Sequence, residues 1–167
     1  ISLEMNADID SFSDIYIERI AQLSNKTNQF NLTTKRYSIS EVERVTKDSC
    51  YIKISGKLND KFGENGLVTI IIGKLEKNVC VIESWLMSCR VLKRGMEIAM
   101  LDKLVEQSKK YGVSKLRGIY IRSDKNEIVS NLYNDFGFEF TKKSDDKFFY
   151  ELDISSYKNK NILIKIK

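Results

Sequence analysis

Val79-Cys80-Val81-Ile82-Glu83-Ser84-Trp85-Leu86-Met87 runs directly into Ser88-Cys89-Arg90-Val91-Leu92-Lys93-Arg94-Gly95-Met96-Glu97. The first stretch is apolar and rich in branched side chains, so it reads as a strand. From Arg94 the period changes. Ile98, Leu101, Leu104, Val105 and Ser108 recur at helical spacing against Asp102, Lys103, Glu106, Lys109 and Lys110. Gly112 ends that helix as a C′ glycine, and residues 116–121 read as the next strand. A strand–helix–strand passage of this kind supplies a parallel pair within one sheet.

Working outward, the other strands read as hairpins. Upstream, Cys50, Ile52 and Ile54 alternate with Tyr51, Lys53 and Ser55, residues 63–66 (Gly-Glu-Asn-Gly) read as a turn, and residues 67–72 read as a central strand buried on both faces. Residues 74–78 read as the next turn. Cys50 and Cys80 sit at alternating strand positions and read as core. Nearer the start, residues 3–9 give a weak strand, and Asp14 is placed to cap a helix with Ile15, Ile17, Ile20, Ala21 and Leu23 on one stripe. Ser38 or Ser40 caps a second, short helix through Val42 and Val45. Downstream, Ile128, Val129, Leu132, Tyr133 and Phe136 mark one helix face, and residues 138–141 and 148–152 read as two closing strands around Ser144-Asp145-Asp146. Residues 155–167 form a basic tail, expected as a peripheral strand or frayed. The whole chain, 1–167, reads as one α+β domain with a mixed, mostly antiparallel central sheet flanked by helices.

Composition narrows the chemistry. The 167 residues contain no His, which excludes Ser-His-Asp and Cys-His catalysis and His-ligated metal. Proton transfer falls to carboxylates, Tyr, Lys, Cys or water. Cys50, Cys80 and Cys89 have no metal or redox spacing, and their odd number predicts reduced thiols in a cytoplasmic protein. No apolar run approaches the roughly 20 residues of a membrane span. Lys and Arg exceed Asp and Glu by 28 to 23, a formal charge of +5, yet the lysines are scattered without a nucleic-acid motif. The first residue is Ile1 rather than Met, which predicts a processed product or a domain cut from a longer protein.

The junction at residues 88–97 is the first candidate site. A helix N-terminus carries partial positive charge and free N–H groups, Gly95 permits close backbone approach, and Arg90, Lys93 and Arg94 add three cations. Two readings stand at this level: a phosphate or pyrophosphate cradle, or a turn with a solvated basic patch. This order of elements around this junction resembles the GNAT acyl-CoA N-acyltransferase fold, in which a glycine-rich loop after the fourth strand grips the coenzyme A pyrophosphate. The resemblance places Arg90, Val91, Lys93, Arg94, Gly95 and Met96 at the cofactor. Asn126, then Tyr133 seven residues on, then Gly137-Phe138 resembles a second GNAT pattern. It implies that Asn126 hydrogen-bonds near the pantetheine and that Tyr133 protonates the departing thiolate; Tyr133 as a core aromatic is the alternative. Leu92 and Glu97 depart from the loop, and Glu97 would repel a pyrophosphate. Either Glu97 points away or the loop holds something less charged, such as the single phosphate of a phosphopantetheine arm.

Longer blocks resemble the C-terminal domain of FkbH-like proteins: Arg19 to Leu23 with Lys26 to Tyr37, Asp60 to Leu67, Trp85 to Val91 with Arg94 to Glu97, and Lys125-Asn126 with Tyr133 to Phe138. That resemblance implies a GNAT-like half of an enzyme that loads a glyceryl unit from 1,3-bisphosphoglycerate onto an acyl carrier protein, on the way to methoxymalonyl or related units. It places a haloacid-dehalogenase-like domain with its magnesium site outside this chain, with no metal in this one. Residues 25–37, dense in amides and hydroxyls, would then lie over the acceptor pocket, with Asn28, Gln29, Phe30, Asn31 and Thr33 facing the glyceryl group; turns closing a surface loop are the alternative. Cys89, beside the basic loop, is a candidate thiolate, or a small buried hydrophobe. Glu83 is a candidate proton acceptor, or an exposed strand carboxylate. Two functions remain open: an acyltransferase domain working on a coenzyme A or carrier-protein thioester, and a non-catalytic module that docks the acidic carrier protein.

Overall fold

The run of buried side chains from Leu67 to Gly73 requires cover on both faces of its strand, and the chain provides it. A computed structural model describes residues 4–167. Among the described residues, eight strands form one sheet in the order β6-β7-β5-β4-β3-β2-β1-β8. They are β1 (Asn6–Ser11), β2 (Tyr51–Asp60), β3 (Gly63–Glu76), β4 (Val79–Met87), β5 (Lys115–Ile121), β6 (Glu139–Ser144), β7 (Lys147–Asp153) and β8 (Lys165–Ile166). Helices α1 (Ile17–Lys26) and α2 (Ile39–Lys47) cover one face. There Ile20, Leu23, Tyr37 and Val42 pack on Leu67, Ile70, Ile72 and Leu86. Helices α3 (Met96–Lys110) and α4 (Leu132–Asp135) cover the other, where Met100, Leu104 and Tyr133 join Ile54, Ile71, Ile82 and Trp85 in the larger core.

All neighbours are antiparallel except β4 with β5 and β1 with β8. One irregularity matters for the site. Ile72 pairs with Ser84 and Gly73 with Ile82, so Glu83 is an extra residue, a bulge in β4. The bulge changes the phase of the strand, and Cys80, Ile82, Trp85 and Met87 all reach the α3 face.

Several sequence expectations are corrected. The first strand is Asn6–Ser11 rather than residues 3–9, and Leu3 lies outside the described residues. Asp14 opens a 3₁₀ turn without capping it, α1 begins at Ile17, and Ile15 is 79% exposed, off the stripe. Ser38, not Ser40, caps α2, in a reciprocal capping box with Glu41. The hairpin turns are shorter than expected: Gly63 and Lys74 belong to β3, and the connections are Lys61-Phe62 and Lys77-Asn78. Cys50 precedes β2 and is exposed. The helix expected through residues 128–136 is a 3₁₀ turn, Glu127–Val129, followed by the single turn of α4.

The final basic stretch is packed rather than frayed. Asp102 of α3, 7% exposed, accepts from the Tyr157 hydroxyl (2.6 Å) and from the backbone N–H groups of Lys160 and Asn161. Ile164 is buried in the larger core, and β8 closes the sheet edge beside β1. An uninterrupted anchor of this kind was hidden in the sequence, where Asp102 reads as an ordinary solvent-facing helix position.

Candidate functional site

Strands β4 and β5 pair in parallel from Val79–Lys115 to Ile82–Gly118 and then diverge. The wedge opens at the bulge. Glu83 is the first residue past the paired segment on β4, and Ile119 the first on β5. The Tyr133 hydroxyl lies 3.5 Å from the Ile119 carbonyl, at the apex. Its ring is held by Trp85, Phe138 and Tyr150 at centroid distances of 6.1, 4.8 and 5.3 Å. The ring passes directly over Gly118: a Cβ there would meet three Tyr133 ring atoms at 2.5–2.7 Å. Burial pushes the Tyr133 hydroxyl far above its ordinary value, so it stays protonated.

The wedge is filled by the chain itself. Residues 30–33 run through it like a short extra strand. The Met87 N–H donates to the Phe30 carbonyl (3.0 Å), the Leu32 N–H to the Trp85 carbonyl (3.0 Å), and the Ile121 N–H to the Leu32 carbonyl (2.7 Å). The Asn126 amide donates to the carbonyls of Asn31 and Ile121, both at 2.9 Å. Thr33 Oγ1 donates to the carbonyl of the bulged Glu83 at 2.8 Å. Asn31 spends its own side chain on the Thr27 carbonyl and the Thr34 N–H. Phe30, Leu32, Asn31 and Thr33 are all buried. Of the five residues expected to face a substrate, Phe30, Asn31 and Thr33 are therefore structural in this arrangement. Asn28 and Gln29 line an adjoining cavity, with Asn28 Oδ1 accepting from Arg36.

The loop after β4 departs from the expected cradle. Arg94 is spent on the carboxylate of Asp60, whose side chain is only 5% exposed. Gly95 adopts φ +85°, but Leu163 of the final stretch covers it: a Cβ would lie 3.3 Å from the Leu163 side chain. Glu97 turns back on its own backbone N–H, leaving Oε2 buried without a partner, and burial holds its carboxyl above the ordinary value. Val91 and Met96, expected at the ligand, are fully buried core residues. Lys93 takes a left-handed φ of 64° and is exposed. At the start of α3 the Leu163 side chain thus lies beside Gly95, and Glu97 turns its carboxylate into the protein.

Glu83 lies on the opposite side of the apex from Tyr133. Its carboxylate, 26% exposed, faces Lys35 at 3.9 Å. Glu83, Lys35, Thr33, Ile119, Ile121, Lys147 and Phe149 line an open cavity of about 360 Å³ on the α1–α2 side of the sheet. Tyr133 and Glu83 thus flank one point from two faces. Cys89 is exposed and lies in a second cavity, at the far end of β4. Among the described residues there is no group of three or more His, Cys, Asp or Glu side chains placed to hold a metal, and no helix is long and apolar enough to cross a membrane.

No family model and no curated protein matches this sequence. Solved structures do match along nearly its full length. The ribosomal-protein-S18-alanine N-acetyltransferase of Escherichia coli superposes with a TM-score of 0.68 at 14% identity, covering 93% of this chain and 99% of that one. A GNAT-family acetyltransferase of Staphylococcus aureus gives 0.69 at 15% identity, covering 89% and 99%. The PaiA N-acetyltransferase of Thermoplasma acidophilum, solved in complex with coenzyme A, gives 0.66 at 14%, covering 89% and 99%. The chain has the GNAT fold.

Proposed function

We propose that this is an acyltransferase-type domain that engages a thioester through an extended arm lying in the β4–β5 wedge. The observation that carries this reading is the wedge itself. It offers the Met87 N–H, the Trp85 carbonyl, the Ile121 N–H and the Asn126 amide along one line, ending at a protonated Tyr133 hydroxyl. Residues 30–33 stand in for the arm and show that an extended, peptide-like chain satisfies those groups. The arm is that of coenzyme A or of a phosphopantetheinylated carrier protein. Leu163 beside Gly95 and a carboxylate at Glu97 favour the second, because they make the start of α3 less suited to the double charge of a pyrophosphate. The finer reading is FkbH-type loading of a glyceryl or related acyl unit onto an acyl carrier protein, and the +5 charge suits an acidic partner.

The residues divide the work. Tyr133 holds a proton at its hydroxyl in an apolar setting and delivers it to a leaving thiolate. Glu83, on the other face, accepts a proton from an attacking nucleophile, directly or through water. Asn126 orients the amide-bearing portion of the arm.

Residues 30–33 must withdraw before an arm enters. Burying the Phe30 and Leu32 side chains is worth roughly 3–6 kcal/mol together, so the segment weakens arm binding by about 10²- to 10⁴-fold. Calorimetric titration with acetyl-CoA and with acyl-loaded carrier protein tests the reading, followed by thioester turnover. Tyr133→Phe should keep binding and lower turnover by about 10²-fold or more. Carrier binding with no turnover in the native protein would instead leave a docking module, the second reading, which Glu97 at the start of α3 favours.

A further inference from the structure

The cavity at the far end of β4 is distinct from the apex and from the start of α3. Its volume is about 540 Å³, and Arg19 and Lys26 of α1, residues 27–30, and Met87, Ser88, Cys89 and Arg90 form its walls. Three of these side chains are cationic and none is acidic. Among the described residues, neither guanidinium pairs with a carboxylate. Arg19 donates to Gln22 Oε1 (2.9 Å) and the Leu67 carbonyl (3.1 Å), and Arg90 to Ser88 Oγ (3.4 Å) and the Asn65 carbonyl (3.3 Å). All four acceptors are neutral, so the two positive charges stand close together uncompensated. Burial, and after it the nearby charge of Arg90, lower the Arg19 pKa.

We propose that this cavity binds the phosphate of a phosphorylated ligand, held between Arg19 and Arg90 with Lys26 at the rim. Paired guanidinium forks match phosphate oxygens two at a time, and a dianion relieves the repulsion between them. The cavity adjoins the open end of the wedge through Phe30 and Met87, where an arm ending at Tyr133 emerges. It offers an anion a site without a carboxylate, unlike the start of α3. This deepens the proposed function and rests on it for the identity of the ligand. The cavity itself exists with residues 30–33 in place, so phosphate alone can be tested.

Cys89 is a built-in reporter on the wall. In a Cys50→Ser background, which leaves Cys89 as the exposed thiol, iodoacetamide alkylation is followed at constant ionic strength. The probes are inorganic phosphate, pantetheine 4′-phosphate and pantetheine. Phosphate and pantetheine 4′-phosphate should slow alkylation of Cys89 and pantetheine should not. Arg90→Gln, at an exposed position, should weaken that protection about 10- to 100-fold, and Arg19→Gln similarly. Protection by phosphate without binding of any pantetheine arm would keep this site and remove the arm from the wedge. Arm binding unchanged in both arginine variants would keep the arm and remove this site. Absence of protection by phosphate, or protection unaltered in Arg90→Gln, overturns the proposal.

Discussion

Leu32→Ala separates stability from ligand affinity. Leu32 is fully buried in the larger core, and its backbone bridges Trp85 of β4 and Ile121 of β5. Truncating a buried Leu costs about 2–5 kcal/mol. Taking about 3 kcal/mol, and about 2–4 °C per kcal/mol for a chain of this size, Tm should fall by about 6–12 °C. The same loss weakens only the state in which residues 30–33 fill the wedge. If segment and arm exclude one another, each kcal/mol lost by the segment is one that the arm no longer has to overcome. Affinity for phosphopantetheinylated carrier protein should then rise by about 100-fold. Scanning calorimetry and isothermal titration on the same variant read both quantities. A lower Tm with unchanged or weaker arm binding would refute the reasoning, because the segment would then be part of the binding surface rather than its competitor.

Gly118→Ala pushes a methyl group into the Tyr133 ring, which three aromatic neighbours hold in place. Overpacking of this kind should cost about 1–3 kcal/mol in urea unfolding, and a neutral result would show that the ring can move. The Cys80 thiol is pushed up to about 12 by burial, whereas Cys50 and Cys89 are exposed. A thiol assay at pH 8 should therefore count two reactive cysteines in the native protein and a third only on unfolding; a native count of three would contradict the packing. Glu97 is held above its ordinary value by burial, so folding costs more once the unfolded chain ionises, above about pH 4. Glu97→Gln should raise Tm at pH 7, with the gain vanishing below about pH 4; a gain independent of pH would point to packing instead. Asp60 behaves oppositely. The Phe62 N–H, and then Arg94, hold its carboxyl below the ordinary range, so its contribution is present above about pH 4 and is lost as pH falls through the lowered value. Asp60→Asn should flatten the acid limb of the stability profile, and an unchanged limb would assign it elsewhere.

The strand β4 was legible as a nearly continuous apolar, branched run, and the long helix α3 from one helical period held over many residues. The hairpin turns were misplaced because Gly63 and Gly66 look like turn residues, yet β3 accommodates both at positive φ near its exposed end. The helix expected over residues 128–136 is interrupted after Val129: Ile128 is exposed, while Tyr133 and Phe136 pack on Trp85 in the aromatic cluster. Asn126 and Tyr133 stood out through the resemblance of their spacing with Gly137-Phe138 to a known pattern, and the structure places both beside the wedge. The role of residues 30–33 was not. Their amides and hydroxyls look made for a ligand, and only the divergence of two strands distant in sequence shows that they serve the backbone of the protein itself. Arg19 and Arg90 are 71 positions apart in the sequence, and no local pattern announces that they share a cavity.

The extra residue in β4 marks the point at which this strand can change length. Ile82 and Ser84 already pair with the adjacent residues Gly73 and Ile72, so deleting Glu83 would let β4 pair regularly with β3 and leave Trp85 and Met87 on the α3 face and Leu86 on the other. What the deletion removes is a carboxylate beside Lys35 and a carbonyl that accepts from Thr33. The bulge therefore belongs to the wedge rather than to the packing of the sheet.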